Sequence, residues 1–216
     1  MTKNVPARRV DAPERLVERL TRAVLDIAGE VPASEEHKSR SPEHRARAIA
    51  SSAANRAALA AGTLALPPGP VGWLTVVPEL LAVWRIQRQM VADIAKVYGA
   101  DDLTPSRMLY CLFRHAAAQA LRDVAVQVGA RFLIQDVPLR VVERMAAKIG
   151  ISLSRRLVGR GIARWLPVIG ALGVGAYAYY DTGQVARTAM TLFGAEATER
   201  AASRTRARTE KLTARE

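Results

Sequence analysis

Apolar and polar positions recur with a helical period along most of the chain, and several prolines mark where helices begin. Proline is tolerated at the first helical position because the backbone N–H there has no intrahelical partner. No segment shows the strict alternation that is typical of a half-buried strand. The pattern predicts helices over residues 13–28, 42–64, 71–98, 105–129, 138–149, 152–164 and 167–193.

Polar and proline-rich segments separate these helices and suggest where the chain divides. Residues 30–41 are polar and contain Pro32, which favours a linker, and residues 65–70 contain the sequence PPGP, which predicts a firm break. The last segment contains too few apolar residues to bury a face, so we expect a solvated helix extension or a disordered tail. The predicted organisation is an N-terminal helix and linker (1–41), a helical domain (42–194) and a basic, polar tail (195–216).

Two long uncharged stretches, residues 57–78 and 165–180, hold much of the hydrophobicity. The 16 residues of the second stretch would span about 24 Å as a helix, which is short of the roughly 30 Å hydrocarbon core of a bilayer. Each stretch could therefore insert shallowly into a membrane or form the core of the bundle. The second stretch also contains small residues whose spacing predicts close helix packing: Gly170, Ala171, Gly173 and Gly175.

The charge balance narrows the choice of partners. The chain carries 32 basic and 20 acidic residues, a net charge of +12 that favours acidic partners such as anionic lipid or nucleic acid, although a basic protein need not bind either. A cluster of basic residues precedes the second apolar stretch, as expected of a helix that meets an anionic surface. An ordinary solvated helix face would look the same. The predicted anionic-surface contacts are Arg144, Lys148, Arg155, Arg156, Arg160 and Arg164.

Two acidic residues, Glu79 and Asp181, lie at the edges of the apolar stretches. A buried carboxylate needs a partner, so we predict a buried polar site that joins these acids to His115, Arg114 and Arg187. For Glu79 a simpler explanation is favoured, because an acidic residue in the first turn after a helix-starting proline is stabilised by the helix dipole.

The sequence offers little for catalysis or metal binding. One cysteine, Cys111, and three histidines do not make a thiolate or zinc cluster, and no phosphate-binding loop, nucleophile elbow or metalloprotease helix is present. Cys111 is interpreted as a buried, small apolar residue. We expect no metal, no cofactor and no catalytic residue. An enzyme is the least favoured class, and its sign would be a polar pocket that holds Asp181 and His115 together.

A series of short motifs resembles the EcsC protein family. The segment VGWLTVVPELL (71–81) is followed by Trp84, Gln87, Met90-Val91, Ile94-Ala95 and Tyr98-Gly99, and a later LPVIG segment (166–170) by Tyr179, Tyr180 and Arg187. The match covers about residues 42–194. It departs from the family at Glu79, where members usually have Asp, and in its proline-rich lead. The resemblance implies an all-helical, membrane-associated bacterial protein, and it supplies no catalytic residue.

Together these observations predict a compact all-α bundle of about six to eight helices with the glycine-containing C-terminal helix at its centre. The predicted function is non-enzymatic docking to an anionic membrane surface or membrane protein. Because no secretory signal begins the chain, we expect a cytoplasmic protein that is peripheral to, or partly inserted in, the inner membrane. The alternatives are a soluble helical module that binds a partner protein and a nucleic-acid-binding protein. The latter is less favoured because no aromatic residues interleave with the basic helix to stack on bases.

Overall fold

The computed structural model describes residues 12–29, 31–64, 72–114, 139–159 and 167–213, and within these ranges all regular structure is helical. The helices are α1 (Ala12–Gly29), α2 (Pro42–Leu64), α3 (Gly72–Val97), α4 (Pro105–Leu112), α5 (Leu139–Gly159) and α6 (Pro167–Thr213). The predicted all-α bundle is confirmed.

The starts of three helices follow the proline signals. Pro42, Pro105 and Pro167 are the first residues of α2, α4 and α6. At α4 the Thr104 hydroxyl also accepts a hydrogen bond from the backbone N–H of Arg107 at 3.5 Å, which satisfies one of the donors left free at a helix start.

Helix α3 is followed by a turn that requires a glycine. Gly99 has a φ of +70°, in the left-handed region that favours glycine, because a Cβ would crowd the backbone there. The following N–H, of Ala100, donates to the carbonyl of Ala95 at 2.9 Å. This arrangement satisfies carbonyls that would otherwise lack a partner at the helix end.

The helices pack as two pairs joined by α3. Helix α6 contacts α2 most extensively and then α3, whereas α5 contacts α1 most extensively. The main core lies between these pairs, and its fully buried side chains include Leu20, Val24, Met90, Ile94, Met108, Leu109, Met145, Ile149 and Phe193. The rings of Trp84 and Phe113 meet edge to face at 5.2 Å between centroids.

The predicted break between residues 149 and 152 is wrong. Helix α5 runs through Gly150 without interruption. A Cβ built at Gly150 would lie 2.3 Å from the Oγ1 of Thr21 on α1, so this glycine permits the close approach of two helices. Glycine in a helix can mark either a break or a tight contact, and the sequence alone does not separate the two.

Two other boundaries also differ from the predictions. Helix α4 ends at Leu112, where the backbone of Phe113 leaves the helical conformation, and residues 115–129 of that predicted helix lie outside the described residues. Helix α6 continues past the predicted end at residue 193 as far as Thr213, so most of the predicted tail is an extension of that helix. Its middle packs in the core, but residues 201–207 near its C-terminal end are exposed, so the helix is central only over part of its length.

Candidate functional site

Only part of the predicted buried polar site falls within the described residues. Asp181 is half-buried on α6, whereas Arg187 is exposed on a different face of the same helix and Arg114 is exposed just after α4. Glu79 lies inside α3, seven residues after its first residue, so the favoured explanation of a first-turn acid does not hold. Its side chain and the whole of His115 lie outside the described residues.

Asp181 accepts a hydrogen bond from an amide of α3. The Nε2 of Gln87 donates to the Oδ2 of Asp181 at 2.9 Å and to the Oγ1 of Thr182 at 3.1 Å. Gln87 is 1 % exposed and Thr182 is fully buried, so these bonds link α3 to α6 inside the bundle. Buried polar groups of this kind need partners to avoid a desolvation cost, and here they supply each other.

The environment of Cys111 supports its interpretation as an apolar core residue. The thiol is buried, and burial raises its pKa to about 12. The thiolate is the nucleophilic form, so this cysteine remains a protonated, unreactive thiol at neutral pH.

Only part of the predicted set of basic contacts falls within the described residues. Arg144 and Lys148 are exposed on α5, and Arg155 and Arg156 belong to the same helix, although their side chains lie outside the described residues. Arg160 and Arg164 fall wholly outside them. Because α5 packs mainly against α1, its exposed basic residues are carried by the helix pair that does not include α6.

The four small residues predicted for helix packing have different surroundings. A Cβ built at Gly175 would lie 3.0 Å from the backbone oxygen of Ala58 and 3.8 Å from the Cα of Gly62, so α2 and α6 approach closely at this point. Among the described atoms none lies within 4 Å of a Cβ built at Gly173, and this glycine serves no such contact. Gly170 and Ala171 lie in the first turns of α6, and nothing about their packing is described.

Exposed aromatic residues are concentrated on the first half of α6. Seven large hydrophobic residues are exposed in the described part of the chain, and four of them fall within nine residues of this helix. We call them the tyrosine patch: Leu172, Tyr177, Tyr179 and Tyr180, with exposures between 47 % and 71 %. Leu59 of α2 is 69 % exposed and is adjacent to Ala58, so it lies at the same end of the α2–α6 pair. The sequence predicts that this segment is apolar and leaves open whether it faces a membrane or the core of the bundle.

A groove opens at the other end of the same helix pair. It has a volume of about 880 Å³ and is bounded by the first turns of α2, by Tyr98 at the end of α3 and by the second half of α6. We call it the α2–α6 groove. Its lining residues on α6 extend from Arg187 to Ala201, and those on α2 are Pro42, Glu43 and Arg47. Among the predicted site residues that the structure describes, only Arg187 contributes to it.

Polar contacts hold the groove in place from two sides. The linker residue Ser39 donates its N–H to the carbonyl of Val97 at 3.0 Å, and Arg45 at the start of α2 forms an ion pair with Glu36 of the linker. On the other side the Nη2 of Arg107 on α4 lies 3.3 Å from the Oε1 of Glu196 on α6, and both side chains are mostly buried. Arg200 donates to the carbonyl of Gly99, which ties α6 to the turn after α3.

Two kinds of site are not found in the described residues. These ranges contain no cluster of three or more histidine, cysteine or acidic residues that could hold a metal ion. Of the helices in the described ranges, none combines the length and hydropathy that a transmembrane span requires.

No protein-family model, curated protein or solved structure matches this chain. The resemblance to the EcsC family therefore stays a prediction that depends on the motifs in the sequence.

Proposed function

We propose that this protein is a non-enzymatic, peripheral membrane protein of the EcsC type that docks on an anionic lipid surface through the tyrosine patch. The observation that carries the proposal is the exposure of Leu172, Tyr177, Tyr179 and Tyr180 on one short segment of α6. A tyrosine combines an apolar ring with a polar hydroxyl, and this combination suits the boundary between acyl chains and headgroups.

The charge of the protein favours an anionic surface as the partner of this patch. The net charge of +12 attracts anionic headgroups over about a Debye length, and each basic residue near the surface contributes on the order of 1 kcal/mol. Arg187 follows the patch by two turns and is exposed. It shares a helix face with Tyr180, seven residues earlier, and so would lie beside the headgroups when the patch is in contact.

Sedimentation with vesicles tests the proposal. We expect the protein to sediment with vesicles that contain phosphatidylglycerol, to remain in the supernatant with pure phosphatidylcholine, and to be released by added salt. The triple variant Leu172→Ser, Tyr179→Ser, Tyr180→Ser should lose at least about tenfold in apparent affinity, because apolar contact area is removed.

A matched control uses exposed residues at the far end of the same helix. The variant Ala202→Ser, Ala207→Ser changes two exposed positions outside the patch and should bind vesicles as the unchanged protein does. The proposal is overturned if the unchanged protein does not sediment with anionic vesicles, or if the triple variant sediments equally well.

A further inference from the structure

The α2–α6 groove is lined mainly by apolar groups on its α6 side. Met190, Gly194 and Ala197 line it from α6, and the ring of Tyr98 lies against Gly194, with 3.6 Å between its Cε1 and a Cβ built at that glycine. The two threonines on this wall, Thr191 and Thr198, donate their hydroxyl protons to α6 carbonyls four residues earlier, at 2.9 and 3.0 Å. Their donors are therefore used within the helix, and the groove presents mainly carbon atoms.

The length and lining of the groove suit a long, thin apolar group. Its α6 wall from Arg187 to Ala201 is about 21 Å long at 1.5 Å per residue. The groove has a volume of about 880 Å³ and is open to solvent. An extended alkyl chain can therefore lie along the whole of this wall.

Charge is distributed unequally around the groove. The Nη2 of Arg47 lies 3.0 Å from the Oε2 of Glu43, so the opposite charges of these two rim residues offset each other. Arg187 is exposed at one end of the groove, and no residue in the described ranges forms an ion pair or hydrogen bond with its guanidinium. Burial raises the pKa of the Tyr98 hydroxyl, so this group also stays protonated and neutral. The groove thus has an apolar length and one cationic end.

We propose that the α2–α6 groove binds a single long-chain carboxylate, with the alkyl chain along Tyr98, Gly194 and Ala197 and the carboxylate at Arg187. A second copy of this chain is disfavoured as occupant, because it would bring together two proteins that each carry a net charge of +12. The inference adds a small-molecule site to the protein and does not depend on docking to a membrane.

Fluorescence of a dansyl-labelled undecanoic acid, used below its aggregation concentration and without vesicles, measures this binding directly. We expect the emission to rise and shift to the blue on addition of protein, and unlabelled fatty acids to displace the probe. The affinity of the competing fatty acid should rise about twofold per added methylene from eight carbons to twelve, because an open groove buries about half of each methylene group. The corresponding fatty alcohols should compete less well than the acids.

Two variants and one control decide between specific and adventitious binding. Gly194→Leu combined with Ala201→Leu fills the groove and should weaken probe binding by at least about tenfold. Gly173→Leu adds the same side chain to the same helix at a position with open space around it, and should bind the probe normally. Arg187→Gln removes an exposed charge and should weaken binding of the acids by about three- to fivefold while leaving the alcohols unchanged.

The outcomes separate this site from the proposed membrane function. The site is overturned if no probe binds, if acids and alcohols compete equally, or if the filled variant binds as well as the Gly173→Leu control. If the filled variant does not fold, the acid-to-alcohol ratio of Arg187→Gln decides, because that change lies on the surface. If the protein sediments with anionic vesicles but does not bind the probe, the membrane function stands and the groove site is rejected. If it binds the probe but does not sediment with the vesicles, the groove site stands and the membrane function is rejected.

Discussion

The two ends of the antiparallel α2–α6 pair use small residues for opposite purposes. At one end, which we call the closed end, Gly175 allows α6 to approach the backbone of α2 to within contact distance of Ala58. At the other, the open end, Gly194 and Ala197 face the α2–α6 groove. The same residue types thus close one end of a helix pair and leave a space at the other.

The difference depends on what surrounds each end. At the closed end the alanines Ala57, Ala61 and Ala178 form a small separate core with Val83. At the open end Tyr98 lies between α2 and α6, and the linker fixes the first turns of α2 through Ser39 and Glu36. A stripe of small residues therefore does not by itself specify close packing, because a third element can hold the two helices apart.

The largest expected effect comes from placing the same side chain at both ends. Gly175→Leu should lower the free energy of unfolding by about 2–3 kcal/mol, because the added side chain meets the backbone of α2 and forces the helices apart. Gly194→Leu should change it by less than about 1 kcal/mol, since the groove has room and leucine favours helix more than glycine does. Urea unfolding measures both, and equal destabilisation would contradict the distinction between the two ends.

A middle-sized effect is expected where the buried amide joins α3 to α6. Gln87→Leu keeps a similar volume but removes the donor to Asp181 and Thr182, and it should lower the free energy of unfolding by about 1–2 kcal/mol. Gln184→Leu, at a half-buried position of α6, is the control and should change stability little. An unchanged urea midpoint for Gln87→Leu would show that the amide does not stabilise the contact between these helices.

The smallest effect concerns the linker at the open end and depends on pH. The Arg45 guanidinium, hydrogen-bonded to Glu36, holds the pKa of that carboxyl below its ordinary value of 4.5. The pair therefore stabilises the fold above that ordinary value, and this contribution is lost as the pH falls through the lowered pKa of the folded state. Because the Arg45 side chain is exposed, solvent screens the pair, and we expect this contribution to be the smallest of the three.

The matched comparison is between neighbouring glutamates. At pH 7 Glu36→Gln should unfold at a lower urea concentration than Glu35→Gln, and at pH 3 the two midpoints should converge. A difference that persists unchanged at pH 3 would mean that the ion pair is not its cause.

Local signals predicted the framework of the fold, and long-range contacts account for what they missed. Proline at a helix start is a property of one residue and its neighbours, so α2, α4 and α6 begin where expected. The predicted helices 138–149 and 152–164 are joined in one continuous helix, because Gly150 packs against Thr21, a contact between residues far apart in the sequence. Asp181 was recognised as a polar residue in an apolar setting, but its bond to Gln87 spans 94 positions, which no local pattern reveals.

The candidate surfaces were even less accessible to sequence reasoning. The apolar character of the tyrosine patch is visible in the sequence, but whether such residues face a core or solvent depends on which helices cover them. The groove requires α2, α3 and α6 to be placed relative to one another, and Arg187 acquires its position there only in the folded chain. The residue types indicated which segments are apolar or charged, and the packing of the helices determined which side chains of each segment are exposed.

Because α6 is unbroken, it fixes the distance between the tyrosine patch and the α2–α6 groove. Tyr179 in the patch and Gly194 in the groove belong to one continuous helix, and their separation of 15 positions corresponds to about 22 Å along its axis. Because a helix resists stretching, a molecule held in the groove keeps a fixed axial distance from whatever the tyrosines touch.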